Sequence, residues 1–127
     1  MPLKIYRWYT TDLLEKNRST TFVFRDNALR VGRAGQALVC RHQDNTLGVA
    51  TKWSPNEFFS DCPEAFEIVH RDLSSVLSLL QQGQSVGWPA DGIGASLACL
   101  RSPAPAINEY LEAFFNNLVK YYRVKDV

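Results

Sequence analysis

The sequence has few cysteines, and their positions argue against the sites that cysteine usually builds. Cys40, Cys62 and Cys99 stand far apart, with no Cys-x-x-Cys pair. An odd, widely spaced set is not typical of a disulfide framework or of a zinc site. The two histidines, His42 and His70, have no metal-ligand spacing to Cys, Asp or Glu. We therefore expect reduced, mostly buried thiols, no metal and no cofactor.

The chain also lacks a long apolar run and an excess of charge of either sign. No segment approaches the roughly 20 apolar residues of a membrane-spanning helix, and charges interrupt the N-terminal segment, unlike a signal peptide. There are 14 Lys and Arg against 13 Asp and Glu, a formal net charge of +1. This balance supplies no basic field for nucleic acid. We expect a cytoplasmic protein with no membrane or nucleic-acid partner.

Apolar residues are abundant enough for one packed core. The chain has 127 residues, of which 46% are hydrophobic and 12% aromatic, and a single domain usually takes roughly 100–200 residues. We therefore predict one domain over residues 1–127.

Apolar periodicity predicts helices that alternate with short strands. The predicted helices cover residues 11–17, 36–41, 63–82 and 107 onwards, and the predicted strands cover 3–9, 21–24, 47–51 and 85–88. Ser60 or Asp61 is placed to cap the helix that begins at Pro63, and Gly83 is placed to end it. Alternating strands and helices require crossover connections. The predicted fold class is α/β, with a mainly parallel sheet flanked by helices.

A glycine-rich loop follows the second predicted strand and leads into a helix. Gly32 and Gly35 form a Gly-x-x-Gly spacing, with Arg33 between them and Arg25 and Arg30 before them. Glycine permits positive φ and close approach to a ligand, and free N–H groups at a helix start suit a phosphate. The pattern predicts a phosphate-binding loop; a tight turn with solvated arginines is the alternative.

Two more loops follow strands at the same expected edge of the sheet. Gly92 and Gly94 form a second candidate loop for a phosphate or a ribose, or else a plain strand-to-helix turn. Lys52 is placed to reach a phosphate or a carbonyl, and Trp53 to stack on a base or seal the site. The alternative is a solvated lysine beside a surface tryptophan.

Four ordered motifs resemble those of a family of small uncharacterised bacterial and phage proteins. The family patterns are Phe-Val-Phe-Gly-Asp-Asn, Gly-x-Gly-Gly-Gln-Ala, Gly-Ile-Pro-Thr-Lys and Trp-Pro-Ala-Asp-Gly-Ile-Gly. The similar segments here are residues 22–27, 32–37, 48–52 and 88–94. That family in turn resembles macrodomains, the α/β modules that bind ADP-ribose. The resemblance implies a small three-layer, macrodomain-like domain with a mixed sheet.

The resemblance also implies a function, the binding of ADP-ribose or a related NAD-derived nucleotide. It implies that Asn27 contacts the distal ribose, that the glycine loops hold the diphosphate, and that Lys52 or Arg33 neutralises its charge. It also implies that Asp26 or Asp91 reads an adenine amino group or a ribose hydroxyl. The implied ligand-binding residues are Asn27, Gly32, Arg33, Gly35, Gln36, Thr51, Asp91, Gly92, Ile93 and Gly94.

Two other functions stay open. One is an ADP-ribosyl glycohydrolase whose catalytic residues are Lys52 with Asp26 or Asp91, although Ala98 stands where such hydrolases carry an acid and Arg25 replaces the small family's glycine. The other is a protein-interaction domain that has lost the nucleotide pocket. That domain would bind its partner through an exposed aromatic patch. The patch is formed by Trp53, Phe58 and Phe59.

Overall fold

The computed structural model describes residues 3–33, 35–94 and 100–122, and the backbone of 125–126. The strands are β1 (Leu3–Tyr6), β2 (Thr20–Asn27), β3 (Thr46–Ser54), β4 (Glu57–Phe58), β5 (Ser85–Pro89) and β6 (Lys125–Asp126). The helices are α1 (Thr11–Lys16), α2 (Gln36–Cys40), α3 (Pro63–Gln81) and α4 (Pro105–Tyr122). The helical turn expected after Gly94, together with Ala98 and Cys99, lies outside the described residues.

The strands form one mixed sheet in the order β4-β3-β2-β5-β1-β6. Strand β2 runs parallel to β3 and β5, and β1 runs parallel to β5 and β6. The short strand β4 is antiparallel to β3. The predicted α/β class with a mixed, mainly parallel sheet is therefore confirmed.

Helices cover both faces of the sheet, which makes three layers. On one face, Leu14 of α1 and Ala37 and Cys40 of α2 pack against Phe22 and Phe24 of β2. On the other face, α3 and α4 pack against apolar side chains of β1, β2, β3 and β5. Because successive strand residues point to opposite faces, Val23 of β2 belongs to this second cluster.

The strands that lead to the candidate loops differ in length from the prediction. Strand β2 continues to Asn27 and β3 continues to Ser54, so residues expected in loops lie on strand ends. The predicted first strand ends earlier, at Tyr6. Strands β4 and β6 were not predicted, because two residues are too few to show an alternating pattern.

The expected cap of α3 is wrong, because Asp61 caps a different helix. Cys62 occupies the N-cap position of α3 with no side-chain hydrogen bond. The Asp61 carboxylate instead accepts hydrogen bonds of 2.9 and 3.0 Å from the N–H groups of Ala106 and Ile107, at the start of α4. Gly83 follows α3 as expected, with φ of 83°. None of the described helices is both long enough and apolar enough to cross a membrane.

Candidate functional site

A pocket of about 90 Å³ lies at the carboxyl ends of β2 and β3 and against α2. We call it the cationic pocket, because four basic side chains and one carboxylate are among its lining residues. These residues are Arg25, Asp26, Asn27, Val31, Gly32, Arg33, Gln36, Ala37, Arg41, Thr51, Lys52 and Pro55. The pocket therefore occupies the edge of the sheet where ligands usually bind in open α/β folds.

The carboxylate of Asp26 is buried in the pocket wall and already paired. Its side chain is 3% exposed and lies 2.8 Å from Nη1 of Arg41 and 3.5 Å from Nη1 of Arg30. The backbone N–H of Asn27 also donates to it, at 2.8 Å. Because these groups occupy both oxygens, Asp26 orients the arginines around the pocket.

Arg41 fixes the first glycine loop from the side of α2. Its Nε donates to the carbonyl of Gly32 at 3.0 Å, and its Nη2 donates to the carbonyl of Val31 at 2.9 Å. The amide of Asn27 donates to that same Val31 carbonyl at 2.7 Å. Asn27, the residue expected to contact a ribose, thus holds the loop. Arg41 was missed in the sequence because its contacts are set by packing and carry no motif.

Position 32 requires a residue without a side chain, for two reasons. Its φ is 93°, a conformation that L-residues rarely adopt, and an added Cβ would lie 3.2 Å from Cγ of Pro55. The glycine therefore lets the loop approach the turn after β3 closely.

A second ion pair anchors this loop to the opposite layer of the fold. Nη2 of Arg30 lies 2.8 Å from each carboxylate oxygen of Asp72 on α3. Oδ2 of Asp72 also accepts the N–H of Ala50 at 2.9 Å, and Arg30 adopts a positive φ of 58°. Asp72 was missed, although an acid within the apolar stripe of α3 is a signal for a buried charge with a partner.

Several predicted site residues meet in the cationic pocket with their polar atoms engaged. Oε1 of Gln36 accepts the N–H of Arg25 at 3.1 Å, and the hydroxyl of Thr51 donates to the carbonyl of Asp26 at 3.3 Å. The ammonium of Lys52 lies 4.8 Å from the ring centre of Phe58.

Two residues of the first glycine loop lie at the edge of this arrangement. Gly35 is the N-cap of α2, with φ of 59°, and is not among the lining residues. Nη2 of Arg33 lies 2.6 Å from Nε2 of His42.

The second glycine loop lines a different pocket. This second pocket, of about 100 Å³, is formed by Trp88, Asp91, Gly92, Ile93, Gly94, Asn108, Leu111, Glu112 and Phe115. Arg25 connects the two, because its Nη1 donates to the carbonyl of Gly92 at 3.0 Å and lies 3.1 Å from Oδ1 of Asp91. Asp91, Gly92, Ile93 and Gly94 are therefore not among the lining residues of the cationic pocket, although Asp91 and Gly92 contact Arg25 at its wall.

Of the three residues in the expected aromatic patch for a protein partner, only Phe58 is exposed. Phe59 is 0% exposed, and Trp53 packs edge-to-face on it with ring centres 4.7 Å apart. Phe58 is 42% exposed. Phe59 belongs to the core cluster on the α3 side of the sheet.

Burial raises the pKa of two titratable groups near the pocket, Cys40 and Tyr9. Burial raises the pKa of the Cys40 thiol to about 12, with a smaller opposing effect from Arg41. Burial also raises the pKa of Tyr9 well above its ordinary value, and the hydroxyl of Tyr9 donates to the carbonyl of Val23 at 2.7 Å. A protonated thiol is a poor nucleophile, so Cys40 is a structural residue.

Comparison with known proteins places the chain in one family. No curated protein and no solved structure matches the chain significantly. A model of a family of unknown function, DUF7831, matches residues 4–114. This range contains every residue that lines the cationic pocket, and the chain is a member of the DUF7831 family.

Proposed function

We propose that the cationic pocket binds the phosphate of an ADP-ribose-type nucleotide. The observation that carries this proposal is the charge of the lining, which holds four basic side chains, those of Arg25, Arg33, Arg41 and Lys52, and one carboxylate. Arg41 is paired with that carboxylate and Arg25 with Asp91, which leaves Arg33 and Lys52 without an acidic partner among the described residues. The surplus of positive charge favours an anion. Arginine binds phosphate strongly because its planar fork forms charge-assisted hydrogen bonds.

The size of the pocket indicates which part of a ligand enters it. Sites for whole drug-sized ligands occupy roughly 300–1,000 Å³, whereas this pocket measures about 90 Å³. A phosphoryl group would occupy the pocket, and the nucleoside would lie outside it. The nucleotide part of the proposal depends on the resemblance of four motifs to a family of small proteins that in turn resembles macrodomains.

The contacts of the two expected catalytic residues favour binding over hydrolysis. Asp26 uses both carboxylate oxygens on Arg41, Arg30 and a backbone N–H. The ammonium of Lys52 packs on Phe58 and lies 3.5 Å from the carbonyl of Pro55. A general acid or base must reach the reacting atoms, and the contacts of Asp26 hold its carboxylate in the wall of the pocket. We therefore propose a binding module that does not cleave its ligand.

Calorimetric titration with ADP-ribose tests the binding proposal. Arg33 is exposed, so Arg33→Gln removes a charge from the lining without removing a buried contact. We expect binding by the unsubstituted chain and an affinity lowered about tenfold or more in this variant, because a hydrogen bond to a charged group contributes about 1.5–3 kcal/mol. Arg7→Gln removes an exposed arginine elsewhere and should leave the affinity unchanged. Equal affinities of both variants, or no binding by the unsubstituted chain, would overturn the proposal.

A second assay separates binding from hydrolysis. The chain is incubated with an ADP-ribosylated protein, and free ADP-ribose is measured over time. We expect no release above the buffer control. Release that Lys52→Ala abolishes would support the glycohydrolase instead.

A further inference from the structure

Arg25 lines the cationic pocket with a guanidinium that is fixed in position but not fully engaged. Its side chain is 12% exposed and stands at the end of β2. Nη1 donates to the carbonyl of Gly92 at 3.0 Å and lies 3.1 Å from Oδ1 of Asp91. Nε and Nη2 have no hydrogen-bond partner among the described residues. We propose that Arg25 binds the phosphate directly through Nε and Nη2 and that Asp91 positions it, an inference that rests on the function proposed above.

The two nitrogens that remain are the pair that suits a phosphate. Nη1 lies on the side of Cδ, so the opposite edge of the guanidinium carries Nε and Nη2 with parallel N–H bonds. Two parallel N–H bonds match two oxygens of one phosphate, and this bidentate contact is stronger and more specific than a single hydrogen bond. The contacts of Arg25 therefore leave its phosphate-binding edge available.

The other arginine that is held in the pocket wall lacks such an edge. Each of the three guanidinium nitrogens of Arg41 already contacts an oxygen. Nε and Nη2 donate to the carbonyls of Gly32 and Val31, and Nη1 pairs with Asp26. Arg41 thus stabilises the first glycine loop, and the loop keeps its shape at the expense of that arginine's donors.

The remaining two cations contribute charge without a fixed geometry. Arg33 is exposed, and Lys52 presents an ammonium, which lacks the planar fork of arginine. A side chain that is immobile before the ligand arrives loses less conformational freedom on binding than an exposed one. Arg25 is therefore the residue that orients the phosphate, while Arg33 and Lys52 add to the attraction.

The support for Arg25 comes from a turn that is tied to two strands. The N–H of Gly92 donates to the carbonyl of Pro89 in β5, and the N–H of Ala90 donates to the carbonyl of Tyr6 in β1, both at 2.9 Å. The turn fixes the position of Asp91 and of the Gly92 carbonyl. The second glycine loop thus acts on the cationic pocket through Arg25.

Asp91 has two effects on an anion in the pocket, and they have opposite signs. Its contact with Nη1 orients Arg25 and favours binding, whereas its negative charge opposes binding. The side chain of Asp91 is 54% exposed, so solvent and salt screen the repulsion. Because the signs differ, substitutions can separate positioning from charge.

Titration with inorganic phosphate at constant ionic strength tests the contact without a nucleoside. The Kd is taken from the backbone amide signal of Gly32 in ¹⁵N spectra, and the Nε–H signal of Arg25 is assigned by its loss in Arg25→Lys. We expect that signal to shift saturably with phosphate. Arg25→Lys should weaken binding about tenfold or more, because lysine keeps the charge but not the fork. Arg7→Lys, the same exchange at an exposed position elsewhere, should leave the Kd unchanged.

Two substitutions of Asp91 test the positioning role. Asp91→Asn and Asp91→Ala remove the same charge, but only asparagine keeps an oxygen that can accept the N–H of Nη1. We expect Asp91→Ala to bind phosphate about fivefold less tightly than Asp91→Asn and to broaden the Arg25 Nε–H signal, because a charge-assisted contact no longer orients the fork. Circular dichroism confirms that each variant is folded. If Asp91 acts through charge alone, both variants bind equally and more tightly than the parent.

The possible outcomes distinguish this inference from the proposed function. A response of neither Gly32 nor Arg25 to phosphate would overturn both. A response of Gly32 without one of the Arg25 Nε–H signal, or equal binding by Asp91→Ala and Asp91→Asn, would overturn the inference alone. The cationic pocket would then bind the anion through its other basic residues.

Discussion

At the scale of single residues, the cationic pocket depends on a buried acid that holds basic side chains in place. Asp26 contacts Arg41 and Arg30, and Arg41 in turn fixes the carbonyls of Val31 and Gly32. The charge that makes the pocket attractive to an anion is thus arranged by a charge of opposite sign. Replacing Asp26 should therefore lower the free energy of unfolding, in addition to any effect on ligand affinity.

We expect Asp26→Asn to lower the free energy of unfolding by about 3 kcal/mol. The substitution leaves the largely buried guanidinium of Arg41 without its counter-ion, and breaking a buried ion pair on one side is strongly destabilising. Urea denaturation followed by circular dichroism measures the change. Asp12→Asn breaks a pair in which both side chains are 73% exposed, and it should have little effect. Similar effects of the two substitutions would show that the Asp26 network does not stabilise the fold.

The cysteines should differ in reactivity. Cys40 is 0% exposed and burial raises its pKa to about 12, whereas Cys62 is partly exposed. Alkylation of the native chain with iodoacetamide at pH 8, followed by peptide mass spectrometry, should modify Cys62 and leave Cys40 unmodified, because the thiolate is the reactive form. Both should react in urea. Modification of native Cys40 at the rate of Cys62 would contradict the described packing of α2.

Part of the candidate site could be predicted from single residues, and part could not. The glycine spacing and the basic residues around it indicate a loop of unusual backbone conformation, and Gly32 and Gly35 do adopt positive φ. Arg41 and Asp72 could not be assigned, because their partners are distant in sequence and packing alone brings them together.

At the scale of elements, long periodic helices were predictable and short strands were not. The boundaries of α3 agree with the prediction within one residue, because its apolar stripe and Gly83 mark them. Strand β4 has two residues, and its pairing is decided by β3. Capping was predicted for the nearest helix, whereas Asp61 reaches α4 across the tertiary structure.

The cap of α4 should therefore depend on a residue 44 positions before that helix begins. We expect Asp61→Ala to lower the free energy of unfolding by about 1 kcal/mol, the usual effect of removing an N-cap side chain. Asp61→Asn should retain part of the stability, because its single amide oxygen can still accept one of the two N–H groups. Urea denaturation of both variants, with Asp44→Ala at an exposed position as the control, measures these differences. A loss no larger than that of the control would contradict the capping role.

At the scale of the whole molecule, the two glycine loops, which have similar sequences, line different pockets. Strands β2 and β5 are neighbours and parallel, so their following loops lie at the same edge of the sheet. Arg25 extends from β2 to the loop after β5 and binds Asp91 and the Gly92 carbonyl. The sequence indicates the common edge, but it does not show that this arginine joins two separate pockets.

The central claim is that a nucleotide places its phosphate in the cationic pocket. The most direct measurement is the titration of ¹⁵N-labelled protein with ADP-ribose, followed by the backbone amide signals in two-dimensional nuclear magnetic resonance spectra. We predict saturable shifts at Gly32, Arg33 and Gln36 that are reduced in Arg33→Gln. Unchanged spectra, or shifts confined to Gly92 and Gly94 with none at Gly32, would contradict the account.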